Sequence, residues 1–403
     1  MSVHDLKLSR RNANDVEEYT VRINFWGQPV DEPEIKAGFI GCGSHSFRNL
    51  YPVFQYTPVN LAAICDLNIQ KAKLFAAQFG AKSTYADHKQ MLENEKLDAV
   101  FICTNYDEKG RPLYPRLTLD CLKAGCHVWI EKPPAASCDE IEQMHRVAIA
   151  QHKNVVVGMK KMFFPANEKA HELMKSEEFG TPQLVMLQYP QYIPTPEEFH
   201  DYLQRGIFNN VVGFLDHLCH PASLMVFLLG MPTSLYYRRS PEGAGVATFQ
   251  FKKGAVASLA FTQGASPNCG MERTVIISNK GRHIIVENNI RVILHRMPFP
   301  GYGNVPDYFT ANSEQASAVW EPEFSLGQLY NKGLFLLGYY NEINEFACSI
   351  LENRAPVKGT LEQAWQVTRL FEAFAEKAFE TAARPRKQHK GKRRSHYENS
   401  KIG

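Results

Sequence analysis

The sequence predicts an α/β protein in two parts: a parallel, doubly wound sheet, then an α+β domain on a largely antiparallel sheet. Three observations predict it. From Ile35 onward, short buried apolar runs alternate with helical stretches, as in a parallel sheet covered on both faces. A glycine-rich turn, GFIGCGSHS, follows the first of those runs. Beyond about residue 230 the alternation stops, and strand-like runs succeed one another across short turns.

The elements follow in order. IKAGFIG is the first strand, and a helix is expected near SFRNLYPVFQY despite Pro52. VNLAAICD is the second strand, and NIQKAKLFAAQFG is an amphipathic helix with a glycine stop. DHKQMLENEKL reads as a helix, DAVFICT as a strand, TLDCLKAG as a helix and HVWIEK as a strand. SCDEIEQMHRVAIAQHK is a long helix with Ser137 as its expected cap, and NVVVGMK closes the set. VVGFLDHLCHPASLMVFLLG is apolar enough for a core helix, yet it carries Asp216, His217 and His220. ATFQFKKGAVASLAFTQG is a hairpin around Lys252-Lys253-Gly254, and RTVIISNKGRHIIVENNIRVILHR holds further strands turning at NKG and NN. Residues 297–333 read as a long loop, and GYYNEINEFACSILENR and TLEQAWQVTRLFEAFAEKAF as two closing helices. The expected domains are residues 35–160 and 161–383, flanked by an extension (1–34) and a tail (384–403).

A chain of 403 residues exceeds one ordinary core. With 44% hydrophobic and 22% charged residues it is neither disordered nor fibrous. No run reaches about 18 uninterrupted apolar residues, so no membrane-spanning helix is expected. The N-terminal stretch MSVHDLKLSRRNANDVEEY lacks the apolar centre of a secretory signal. Nine cysteines without a CxxC pair read as reduced thiols, so a cytoplasmic location is expected. The tail from Arg384 holds eight Lys/Arg and one Glu, which leaves 37 basic against 41 acidic residues in the rest, a net −4. A basic tail can touch nucleic acid or an anionic surface, but more often it is a solvated terminus. The expectation is neither a nucleic-acid nor a membrane partner.

Gly41 and Gly43 supply the first two glycines of G-x-G-x-x-G, and Ser46 takes the third place. The first permits a tight turn, and the second lets backbone approach a pyrophosphate on the following helix N-terminus. Preceded by a strand and followed by a helix, Gly41, Cys42, Gly43, Ser44 and His45 form the expected cofactor cradle. Asp66 ends the second strand twenty residues after Ser46, where an acid binds ribose hydroxyls and repels an extra phosphate. NAD is therefore favoured over NADP. An ordinary turn, and for Asp66 a helix cap, are the structural alternatives. Glu131-Lys132-Pro133-Pro134 ends another strand on the ligand side of such a sheet. A partly desolvated lysine there loses pKa and can trade protons near neutrality, whereas an exposed strand-end lysine does nothing.

Together, GFIGCGSHS, CDLNIQKAKLFAAQFG, LKAGCHVWIEKPPA and the Asp216-x-x-x-His220 spacing resemble the glucose–fructose oxidoreductase/inositol dehydrogenase/rhizopine-catabolism (Gfo/Idh/MocA) family, from Ile35 to Phe379. The resemblance implies a Rossmann domain followed by a domain with a large open-faced sheet, and oxidation or reduction of a sugar or cyclitol carbon with a nicotinamide cofactor. It implies that Lys132 is catalytic, that Glu131 borders the nicotinamide side of the cleft, and that Asp216 and His220 complete the site. Residues at i and i+4 share a helix face, so Asp216 and His220 point one way and His217 about a quarter turn aside. His220 is read as general base/acid, Lys132 as holding and polarising the same oxygen, and Asp216 as orienting substrate hydroxyls or tuning the two basic groups; histidine and lysine could exchange roles. A zinc site on Asp216, His217 and His220 lacks a second ligand cluster, and no metal is expected.

Two segments depart from the family. Where it often has TPNxxH, this chain has the longer TNYDEKGRPLYPRLTLDCL; Thr104 and Asn105 resemble the nicotinamide-side loop, and Tyr114 falls at the histidine's place. Where the family often has arginine before phenylalanine, GMKKMFFPA places Met162, with Lys161 beside it either as a substrate contact or as a solvated lysine. Tyr189, Tyr192, Tyr302 and Tyr308 are candidates for stacking on a sugar ring, Tyr192 foremost, or for ordinary packing. The substrate expected is a sugar, glycoside or cyclitol. Alternatives are an NAD-using glycosidase that oxidises, eliminates and re-reduces, and an NAD-sensing regulator. An open sheet with an apolar outer face invites a homodimer or homotetramer.

Overall fold

In the computed structural model, described for residues 22–23, 29–30, 33–266, 268, 270–296, 317–322 and 332–383, the parallel sheet begins at Ile35. Ahead of it, two-residue strands β1 (Arg22–Ile23) and β2 (Pro29–Val30) pair antiparallel. Most of the extension and all of the basic tail lie outside the described residues.

The first sheet has six parallel strands: β3 (Ile35–Ile40), β4 (Val59–Cys65), β5 (Ser83–Tyr85), β6 (Ala99–Ile102), β7 (His127–Ile130) and β8 (Val155–Val157). Their order is β5-β4-β3-β6-β7-β8. The order reverses between β3 and β6, so a crevice opens at the carboxyl ends of those two strands. Connecting helices are α1 (Ile69–Phe79), α2 (His88–Asn94), α3 (Tyr114–Lys123) and α4 (Cys138–Ala150). Central strands β6 and β7 are almost wholly buried, as continuous apolar runs demand.

Two local readings are corrected. SFRNLYPVFQY is not one α-helix: a π-helical turn over Ser46–Leu50 runs into a 3₁₀ turn over Tyr51–Tyr56. Pro52 has no N–H to continue an α-ladder, and the chain re-registers around it. Ser137 stands at the N-cap of α4, but its side chain caps nothing. The Cys138 N–H is instead accepted by Glu372 at 2.9 Å.

The second sheet has eight strands: β9 (Pro182–Tyr189), β10 (Ser234–Arg239), β11 (Gly245–Gln250), β12 (Val256–Phe261), β13 (Arg273–Ser278), β14 (His283–Glu287), β15 (Arg291–His295) and β16 (Ser317–Trp320). The order is β10-β11-β12-β9-β13-β14-β15-β16, antiparallel except where β9 runs parallel to β12. The hairpins fall where the turn residues place them. Gly254 (φ +90°) turns β11 into β12, and Asn288 and Asn289, both at positive φ, turn β14 into β15. The expected loop at 297–333 contains β16; its remainder is largely outside the described residues.

Helices α5 (Pro165–Lys175), α6 (Pro196–Arg205), α7 (Val212–Leu229) and α10 (Leu361–Ala383) cover the inner face of this sheet. By length and composition α7 could cross a membrane, but it lies mostly buried within the fold. The short α8 (Lys332–Leu336) leads to α9 (Tyr339–Leu351), which returns to the first sheet. There Phe346 meets Phe101 edge-on, and Ile343 and Ala347 complete the aromatic layer of Phe39, Tyr51 and Phe54.

Candidate active site

The glycine turn occupies the crevice. Gly41 has φ +114°, and a Cβ there would stand 1.9 Å from the Cys103 carbonyl oxygen, so only glycine fits. A Cβ at Gly43 would meet nothing within 4 Å, which leaves open space over the backbone. Ser46 locks the turn: its Oγ accepts from the Gly43 N–H at 3.1 Å and lies within bonding distance of the Gly43 and Gly41 carbonyls. Asp66 braces it from β4, accepting the Cys42 N–H at 2.8 Å and the Asn68 N–H at 2.9 Å. The helix cap is not Asp66 but Asn68, whose Oδ1 accepts the Gln70 and Lys71 N–H groups, and the Asp66 carboxylate stands beside the turn, where it fits a ribose hydroxyl. Cys42 contributes through its backbone; its thiol is buried and pushed up to about 12 by burial and Asp66. Ser44 and His45 begin the following helical turn, whose first N–H groups have no helical acceptor. Cradle, brace and orphan donors fit a dinucleotide pyrophosphate.

His45 connects the turn to β7. Its Nδ1 accepts from Asn49 Nδ2 at 3.2 Å, so the proton resides on Nε2 and is donated to Glu131 Oε1 at 2.9 Å. The other Glu131 oxygen accepts the Lys132 N–H at 2.9 Å. Burial would raise the Glu131 pKa, but the bond from His45 and the cations Lys132 and Lys160 hold it below the usual carboxylate value.

Lys132 donates to Asp216 Oδ1 at 2.8 Å. The same oxygen accepts the Tyr106 hydroxyl at 2.8 Å. Burial pulls the lysine's pKa down, but Glu131 and Asp216 overcome it and the net shift is upward. This corrects the sequence expectation: the ammonium is retained near neutrality. One turn along α7, His220 lines a cavity of about 390 Å³ together with His45, Glu131, Lys132, Lys160 and Tyr339. Burial, reinforced by Lys132, Lys160 and Lys161, drives its pKa well below 6.5, so the imidazole is neutral. His217 is exposed, about a quarter turn aside. No cluster of three or more metal-ligating side chains exists among the described residues.

The remaining candidates scatter. Thr104 abuts the Gly41 turn, and its carbonyl accepts the Tyr114 hydroxyl at 3.0 Å; Asn105 is exposed. Tyr114 is 4% exposed and packs in the core, with its hydroxyl reaching the strand end beside the glycine turn. Lys161 is neither solvated nor on the cavity wall. It is buried in an ion pair with Glu272, which also accepts from Asn289, and so ties the Lys160–Met162 turn to the second sheet. Tyr192 packs its ring on Phe214 and reaches the Asn210 carbonyl at 3.4 Å. Tyr189 lies under His220, ring centroids 6.0 Å apart; Tyr302 and Tyr308 are outside the described residues.

The sequence reading does not anticipate Tyr106, which bonds Asp216, nor Lys160, which lines the cavity. Tyr106 is delivered by the longer loop after β6, which closes as a small hairpin through a Tyr106–Pro112 bridge. Gly110 (φ +77°) presses that hairpin onto Asn209, where a Cβ would come within 2.3 Å of the Asn209 Oδ1. Lys160 faces the cavity in place of its neighbour Lys161. The signal for Tyr106 was the loop's extra length; for Lys160 there was none.

Comparison with known proteins agrees with this fold. The model of an oxidoreductase family with an NAD-binding Rossmann fold matches residues 35–159, and the GFO/IDH/MocA C-terminal domain matches residues 167–283. An uncharacterized oxidoreductase of Bacillus subtilis is 23% identical over 58% of this chain and 65% of its own length, so just under two thirds of that relative is spanned. Myo-inositol 2-dehydrogenase of Thermotoga maritima is 21% identical over 64% of this chain and 76% of its own. A dehydrogenase structure from Chromobacterium violaceum has a TM-score of 0.71 at 21% identity, covering 87% of this chain and 97% of that one.

Proposed function

Since this chain belongs to the Gfo/Idh/MocA oxidoreductase family and carries its NAD-binding Rossmann domain, we propose that it is an NAD-dependent sugar, glycoside or cyclitol oxidoreductase. It would interconvert a secondary hydroxyl and a ketone. One observation carries the reading: a charged Lys132, held by Asp216, and a neutral His220 line the same cavity beside the glycine turn.

Bound NAD supplies the hydride acceptor. The protein supplies the rest. Lys132, kept protonated by Glu131 and Asp216, donates to the carbinol oxygen and stabilises the charge that develops there as its proton leaves. His220, whose imidazole is neutral, accepts that proton. The carbinol C–H leaves as hydride, the O–H proton goes to His220, and the C–O bond becomes C=O. In this reading lysine and histidine do not exchange roles, because the site keeps one charged and the other neutral. Asp216, fixed from two sides by Lys132 and Tyr106, orients the ammonium.

The test is absorbance of reduced nicotinamide with NAD and a panel of polyols, sugars and glycosides, run beside Lys132→Ala. The expected outcome is reduction with one substrate class, lowered about 10²–10⁴-fold in the variant. Alteration of a glycoside with no net reduction would instead identify the oxidise-and-restore chemistry.

A further inference from the structure

The cavity holds more positive charge than the chemistry above uses. Lys132 is matched by Asp216, and Glu131 is engaged by His45 and by the Lys132 N–H. Lys160 has no such match. Its Nζ donates to the Tyr339 hydroxyl at 3.0 Å and stands 5.0 Å from that ring's centroid, and no carboxylate lies within ion-pairing distance of it among the described residues. A mostly desolvated ammonium with no carboxylate in direct contact is costly to keep, and burial, helped by Lys132, pulls its pKa down although Glu131 acts on it from a distance. Arg48, also on the cavity wall, donates to the Ser44 carbonyl at 3.1 Å and has no ion pair among the described residues.

We infer that Lys160 and Tyr339 form a subsite for an anionic substituent of the substrate, a carboxylate or a phosphate, so that the substrate is an acidic sugar or polyol rather than a neutral one. The donors are already arranged. Tyr339 accepts from Lys160, which leaves its own O–H free to donate, and Lys160 retains further N–H groups. An entering anion would receive charge-assisted hydrogen bonds and supply the missing counter-charge. Because Lys132 and His220 share the wall, the anionic group and the reacting carbinol belong to one small molecule. Gly338 (φ +75°) fixes the geometry: a Cβ there would lie 2.8 Å from the Lys160 carbonyl, so the approach to α9 sits tightly on this turn.

The inference rests on the oxidoreductase reading, and its test separates the two. Binding to the NADH-loaded protein is measured by calorimetry for matched pairs: D-glucuronate and D-gluconate against D-glucose and D-glucitol, with D-glucose 6-phosphate as the phosphate arm. Turnover of the same compounds is followed with NAD or NADH. The acid of a pair is expected to bind about tenfold to a hundredfold tighter than its neutral partner. That preference should vanish in Lys160→Met and weaken in Tyr339→Phe, while NADH affinity and melting temperature report that the variants are folded. The glucuronate and 6-phosphate arms decide which anion the subsite takes. If no acid outbinds its neutral partner, or if Lys160→Met weakens NADH binding and leaves the preference intact, the subsite is refuted. Acid binding without hydride exchange would remove the oxidoreductase reading and leave the subsite standing; turnover of neutral members alone would do the reverse.

Discussion

A lysine at a strand end is pulled two ways: burial favours its neutral form, and neighbouring carboxylates favour its charged form. At Lys132 the carboxylates win. Asp216→Asn removes one of the two, so the alkaline limb of the pH–rate profile should move to lower pH, and kcat/KM should fall about tenfold or more. An unmoved limb would mean that Asp216 does not set the charge on Lys132. Tyr106→Phe removes only a donor to Asp216. It should cost a few-fold in kcat/KM, about the worth of one hydrogen bond, without lowering that limb, because the ion pair survives. Rates with this pair of variants across pH 7–11 separate orientation of the carboxylate from its charge.

At the scale of elements, the glycine turn makes a sharp contrast. Gly41→Ala drives a Cβ into the Cys103 carbonyl and should lower both melting temperature and NAD affinity. Gly43→Ala meets no protein atom, so stability should stay within about 0.5 kcal/mol while NAD affinity, read by fluorescence, falls. Equal stability losses would contradict the cradle. These glycines were legible because a strand precedes them, a helical turn follows, and Asp66 stands at the required distance. The alternating strands and helices, the hairpin at Gly254 and the double-asparagine turn were legible for the same reason: local chemistry dictates them. Other elements left readable signals that were passed over. Thr195 and Glu198 form a capping box at the start of α6, and Ala166, Ala170 and Met174 give α5 its buried stripe. Long-range placement was not legible. A three-residue 3₁₀ turn decides that Lys160 faces the cavity and Lys161 faces Glu272, and three residues carry no periodicity. Tyr106 meets Asp216 across 110 positions through a hairpin that Gly110 seats on Asn209. The parallel pairing of β9 with β12 at the centre of the second sheet likewise depends on the whole fold.

At the scale of the molecule, the outer face of the second sheet presents Tyr236, Val246, Val256 and Val319, 38–65% exposed. A face of this kind favours pairing, and light scattering should give a dimer or tetramer mass; a monomer at micromolar concentration would refute it. The buried ionisable groups set the pH response of the whole fold. Burial lowers His127 and His171 to about 4 and His220 well below its ordinary 6.5. As pH falls from 6.5 toward 4, the unfolded chain takes up protons that the folded chain refuses, so stability falls. Glu342 works in the opposite direction. It is buried on α9, and burial together with Glu131 raises its pKa well above 4.5. The folded state therefore keeps a proton that the unfolded state releases above 4.5, and this contribution costs stability as pH rises until the folded carboxyl itself ionises. Three imidazoles outnumber one carboxyl, so the melting temperature should rise between pH 4.5 and 6.5. Glu342→Gln removes only the opposing contribution. The melting temperature of this variant relative to the parent should therefore climb steadily from pH 5 to pH 8, whatever fixed offset the amide introduces. A difference that stays constant over that range would show that Glu342 is ionised in the folded protein, its charge compensated by Lys160 across the cavity wall.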